Sequence, residues 1–147
     1  MSRGLSITID ALSALLMTAA VAVVAVYWTS IPAEIPTHFN LRGEPDGWGG
    51  KGTLLFVAGA CMSLFAALTF APHYPHLINV PGERTERKLK ISIDMLRVLK
   101  LVTMAMIAWI VWGMARGQSL GLWMLGFVAA ILAVLGFGFY KMSQNAR

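Results

Sequence analysis

The chain has 147 residues, of which 57% are hydrophobic and only 13% charged. That is too little charge for an ordinary soluble domain, where about a quarter is usual. The net charge of +5 calls for no nucleic-acid partner, because Lys and Arg facing anionic lipid headgroups account for it.

Four apolar runs, 11–31, 53–71, 95–115 and 119–140, carry the excess hydrophobicity. Each is close to the roughly 20 residues that cross a hydrocarbon core as a helix. In lipid the backbone must satisfy its own hydrogen bonds, so such runs are helices. The prediction is an all-α integral membrane protein with a single membrane domain over 1–147. Its four transmembrane helices fall near 8–31, 53–72, 83–116 and 119–141, in a compact bundle with an extracytoplasmic Pro/Gly-rich loop. The first run exceeds the apolar stretch of a signal peptide, so an uncleaved helix is expected.

Between the first two helices lies the polar stretch 31–52. Pro32 and Pro36 keep it extended. From Ile35 a period of two sets Ile35, Thr37, Phe39 and Leu41 against Pro36, His38, Asn40 and Arg42. As a lone extended segment, it is expected to pack its apolar set onto the helix ends. Glu44-Pro45-Asp46-Gly47 reads as a turn, with Asp46 as its local bonder and Gly47 supplying a positive φ. Thr53 reads as the N-cap of the second helix. Glu34, His38 and Asp46 are the weak candidates for metal binding or carboxylate–imidazole chemistry. No His-Glu-x-x-His, Gly-x-Ser-x-Gly or Cys-x-x-Cys accompanies them, and Gly50-Lys51-Gly52 does not complete a phosphate loop. The expectation is therefore no catalytic residue, no metal and no cofactor.

After the second helix, whose Cys61 reads as a packing residue, Pro72 and Pro75 break the chain. His73 and His76 flank Pro75 as interfacial residues rather than a ligand pair. A helical pattern resumes at Glu83, with Glu83/Arg87 and Glu86/Lys90 spaced i, i+4 and Leu89, Ile93 and Leu96 on one face. Arg84, Arg87, Lys88 and Lys90 are expected to meet anionic headgroups or to dock a cytoplasmic partner. Arg97 and Lys100 are expected to snorkel to the interface. The small-residue pairs Gly59/Ser63, Gly126/Ala130 and Ala129/Ala133 allow close helix contact, within one chain or in a homo-oligomer.

Charge asymmetry sets the orientation. Arg42, Lys51 and Arg116 fall on one side; Arg3, Arg84, Arg87, Lys88, Lys90, Arg97, Lys100, Lys141 and Arg147 fall on the other. Nine against three predicts both termini inside, in a bacterial inner membrane. Tyr27, Trp28, Trp48, Trp112 and Trp123 fall near the outer interface, with Trp109 a turn deeper, as an aromatic belt would.

Ile35-Pro36-Thr37-His38-Phe39-Asn40, followed by Gly43-Glu44-Pro45-Asp46-Gly47-Trp48-Gly49, resembles the signature of a bacterial domain-of-unknown-function family. That domain also stands at the front of SdpI-type membrane proteins, which give immunity to a secreted toxin peptide. The resemblance implies membrane residence. It marks Pro36, His38, Phe39, Asn40, Gly43, Asp46, Gly47 and Trp48 as residues that structure the loop or bind a partner through it. The additional carboxy-terminal helices of full SdpI-type proteins are not expected. The expected function is non-enzymatic: an envelope-sensing or immunity-type protein, or an accessory subunit of a membrane complex. Its expected partners are the bilayer and a peptide or another membrane protein. The alternative is a small carrier or metal-linked membrane enzyme using Glu34, His38 and Asp46.

Overall fold

The structure is a computed structural model that describes residues 1–144; Arg147, counted among the inner basic residues, lies outside the described residues. Four helices are long and apolar enough to cross a membrane. Helix α1 spans Arg3–Tyr27, α2 Thr53–Phe70, α3 Glu86–Arg116 and α4 Trp123–Ser143. At 1.5 Å per residue they run about 37, 27, 46 and 32 Å.

The helix ends follow local chemistry. Helix α1 starts well before residue 8, because the Ser2 hydroxyl accepts from Leu5 N at 3.3 Å. It stops at Tyr27 rather than 31: Ser30 N and Ile31 N turn back onto Tyr27 O, and Pro32 follows. Helix α2 has Gly52 as its N-cap without a side-chain bond, so Thr53 is its first residue and not its cap. Its first turn closes instead through Leu54 N to Lys51 O and Leu55 N to Gly52 O, both 3.0 Å. Two 3-10 turns, Ala71–His73 and Pro75–Leu77, then carry Pro72 and Pro75 in their opening positions. Helix α3 begins at Glu86, not Glu83, because Thr85 is the N-cap and its hydroxyl accepts from Lys88 N at 3.3 Å. It ends on Gly117 at φ 63°, where Gly117 N and Gln118 N reach back to Met114 O and Gly113 O.

The loop between α1 and α2 is not a lone extended segment. Glu34–Phe39 (β1) pairs antiparallel with Pro45–Gly50 (β2). The purely α expectation is corrected by this hairpin. β2 carries little strand signal, because Pro45-Asp46-Gly47-Trp48-Gly49-Gly50 holds one strand-favouring residue, Trp48, among turn formers.

The four helices do not close a compact bundle. Helix α3 is central and packs against the other three, while α1 and α2 also pack together. Helix α4 leans chiefly on α3, with Gly138 against Met95 and Ser92 Oγ 3.5 Å from Met142 Sδ. Gly126, Ala129 and Ala133 are exposed, and Gly59 and Gly126 have open space around them. The expected small-residue pairs therefore make no close helix contact within the chain; Gly138 takes that role against α3, and Gly113 admits Leu120 of the α3–α4 connection. The main core lies beneath the hairpin: Ala20, Val24, Ile31, Ile35, Leu54, Val111, Met114 and Ala115. Buried Cys61 packs its sulfur 3.8 Å from Met104 Sδ, midway down α2.

Candidate functional site

The hairpin is pinned at three points. At its base, Ile35 and Pro36 are fully buried on the helix ends. On the α2 side, Lys51 N donates to Ala33 O, and Lys51 Nζ donates to Trp28 O at 3.0 Å and Ile31 O at 3.4 Å. The same ammonium lies 4.9 Å from the Trp28 ring centre, so one lysine gathers the carbonyls and indole at the end of α1. At the tip, Gly43 O accepts from Leu120 N at 2.7 Å and Ser119 Oγ at 2.8 Å. The hairpin thus bridges the α1 end to the α3–α4 connection.

The tip is built by Asn40. Its Oδ1 accepts from Arg42 N at 2.8 Å and Glu44 N at 3.1 Å, while its Nδ2 donates to Glu44 Oε2 at 3.0 Å. The turn is therefore 40–43, closed by Gly43 N to Asn40 O, and not 44–47. Gly43 supplies the positive φ, 73°, and a Cβ there would collide with the Gly121 backbone. Gly47 has no positive φ; it is small because a Cβ would sit 2.9 Å from the His38 Cβ across the strands.

Asp46 is correspondingly not a turn former. Register shifts on both sides of His38 leave Thr37 and Asp46 unpaired in the ladder. The Asp46 bulge brings its carboxylate to His38 Nδ1 in a short hydrogen-bonded contact. Both side chains are exposed, 73% for His38 and 42% for Asp46. Phe39 is half-buried against the core, Trp48 stands 55% exposed opposite Pro36, and Glu34 is exposed. The two-residue alternation holds through Thr37, His38 and Phe39. It fails at Pro36, which is buried, and at Leu41, which is 84% exposed because the tip turns there. Among the described residues no three of His, Cys, Asp or Glu gather as a metal-ligand group.

At the opposite end of the helices the predicted basic set divides. Arg84 donates to Ile78 O at 3.2 Å and, in a short contact, to Pro75 O; Lys88 Nζ donates to Pro81 O at 2.8 Å. These two hold the 71–85 connection, while Arg87 and Lys90 are exposed beside them.

Sequence reasoning missed a polar seam in the same half. Lys100 does not snorkel: it is 1% exposed, between α1, α2 and α3. Its ammonium donates to Asp10 Oδ1 at 2.9 Å and Thr69 Oγ1 at 3.2 Å, and lies 5.3 Å from the Phe65 ring centre. Arg97 Nε is 3.7 Å from Asp10 Oδ2, and Arg97 Nη1 is 3.9 Å from Asp94 Oδ1. Opposite charges thus alternate Asp94, Arg97, Asp10, Lys100 along the α1–α3 seam. The available signal was the three-residue spacing of 94, 97 and 100, one face of a helix, together with an aspartate at the head of the first apolar run.

Residues 15–62 match a family described as a domain of unknown function, DUF1648. The match takes in the second half of α1, the whole hairpin and the first half of α2. An uncharacterized protein of Archaeoglobus fulgidus is similar, at 33% identity over 63 residues, covering 37% of this chain and 34% of that protein. The chain thus spans about a third of that relative's length. No solved structure matches.

Proposed function

We propose that the chain is a non-enzymatic protein of the bacterial cytoplasmic membrane that engages a peptide or protein partner through the hairpin. The role is of the envelope-sensing or immunity type, or that of an accessory subunit. The observation that carries this reading is the pinned hairpin itself. Three anchors hold a short, irregular ladder rigid, yet it presents Trp48 and Leu41 outward. Rigid exposed aromatic and aliphatic groups bind at low entropic cost. The non-enzymatic reading rests on the exposure of the His38–Asp46 pair, whose side chains stand in solvent where their interaction is screened. Three basic residues at the hairpin end, against eight among the described residues of the other half, support an extracytoplasmic hairpin and cytoplasmic termini.

The carrier alternative draws on buried Lys100, since ionisable residues inside a membrane mark ion or proton paths by default. Against it, the polar seam is one-sided. Toward the hairpin the core cluster continues with Ala20, Val24, Val111 and Met114, which offer a proton or ion no side-chain partner.

A photo-crosslinking amino acid at Trp48 or Leu41, in native membranes, tests the proposal. Adducts with one peptide or protein, lost when the crosslinker is moved to Phe56 on α2, support it. Lipid adducts alone would refute it.

A further inference from the structure

Beneath the base of the hairpin, the last turns of α1 and α3 and the segment leading into β1 enclose an open groove of about 360 Å³. Its walls are Val23, Tyr27, Ile31, Pro32, Trp112 and Ala115, and its polar groups are Ser30 and Arg116. The volume falls within the usual range for small-molecule sites.

Three features fix the chemistry of an occupant. The first is a cation without a protein counter-ion. Arg116 stacks its guanidinium 5.1 Å from the Trp112 ring centre and forms no ion pair among the described residues. Glu34, the acid nearest the groove in sequence, does not pair with it. The second is a pair of idle hydroxyls: Tyr27 and Ser30 make no side-chain hydrogen bond to any described residue. Guanidinium and hydroxyls lining one groove are donors an anion can take up, and Arg suits phosphate geometry. The third is depth. Val23 lies one turn, about 6 Å, inside Tyr27 on α1, so the groove runs from the aromatic belt into the apolar band. A peptide would have to enter the bilayer to reach it; a lipid is already there.

We propose that this groove holds one anionic phospholipid of the leaflet at the hairpin end. Its phosphate rests on Arg116, Tyr27 and Ser30, and one acyl chain lies along Val23 and Trp112. The lipid would then be a structural ligand under the hairpin, separate from the partner that Trp48 and Leu41 address.

The test is native mass spectrometry of the full chain released from vesicles of phosphatidylglycerol and phosphatidylcholine in equal parts. The wild type should retain one phosphatidylglycerol in preference to phosphatidylcholine. Arg116→Gln should lower that retention about tenfold or more, the scale of one lost charge-assisted hydrogen bond. Arg116→Lys should recover part of it, and Arg42→Gln, at the hairpin tip, should leave it unchanged. Arg116 is exposed, so its variants should fold, and an unchanged circular dichroism spectrum checks that. Equal retention by wild type and Arg116→Gln overturns the proposal. So does equal retention of the two lipids, or a bound peptide in place of a lipid.

Discussion

Replacing Asp10 should harm the protein more than replacing its partner Lys100, although the two form one ion pair. Asp10→Asn leaves the Lys100 ammonium at 1% exposure with no counter-charge, only neutral partners: a carboxamide oxygen, the Thr69 hydroxyl and the Phe65 ring. An uncompensated buried charge of this kind costs about 3–5 kcal/mol. Lys100→Met instead removes the buried charge and fills its volume with an apolar chain. It leaves behind Asp10, whose side chain is 43% exposed and which still has Arg97 Nε at 3.7 Å. That loss should be about 1–2 kcal/mol, the scale of a broken hydrogen bond and imperfect packing. The double variant has neither the buried cation nor its carboxylate partner, so it should resemble Lys100→Met alone. The pair should therefore show a coupling about equal in size to the Asp10→Asn cost, roughly 3–5 kcal/mol in a double-mutant cycle, at or above the upper end for contacting residues. Equilibrium unfolding in mixed micelles, followed by circular dichroism, gives all four free energies. Additive effects, or Lys100→Met costing as much as Asp10→Asn, would refute the buried-pair account.

Gly43→Ala should lose about 1–3 kcal/mol, since a positive φ is forced on a residue with a Cβ that also meets the Gly121 backbone. Limited proteolysis should then open the 117–122 connection before any other site; an unchanged digestion pattern would contradict the docked tip. His38→Ala or Asp46→Ala should cost no more than about 0.5 kcal/mol, because the pair is exposed and solvent screens it. A melting temperature lowered by many degrees would show a larger structural role. In intact cells, an impermeant maleimide should label a cysteine at Gly50 but not one at Gly82. Buried Cys61 keeps the background low, and labelling at Gly82 would reverse the orientation. Thr85→Ala should cost about 1 kcal/mol through loss of the α3 N-cap, measured by the same micelle unfolding.

The sequence by itself determined the membrane class, the count of four helices and the place of the connection between the first two. Those follow from composition and run length, which are one-dimensional properties set by the thickness of the hydrocarbon core. It also marked the residues of the hairpin, since Asn40, Gly43, Asp46 and Gly47 are unusual enough to be seen without a partner. Their roles were not legible. Whether Gly47 serves a turn or a close approach depends on what lies across from it, and His38 lies there only once β2 has paired. The tip turn moved from 44–47 to 40–43 because the Asn40 amide captures two backbone donors and Ser119 and Leu120 hold the Gly43 carbonyl, 76 residues away along the chain from Ser119. Lys100 depends most on tertiary structure. Near the start of an apolar run, a lysine in sequence reads as snorkelling; only the convergence of α1, α2 and α3 could bring Asp10 and Thr69 to its ammonium and make burial tolerable. Periodicity and composition report what each segment prefers toward lipid or water, while the partner of a buried charge is fixed by helices far apart in the chain.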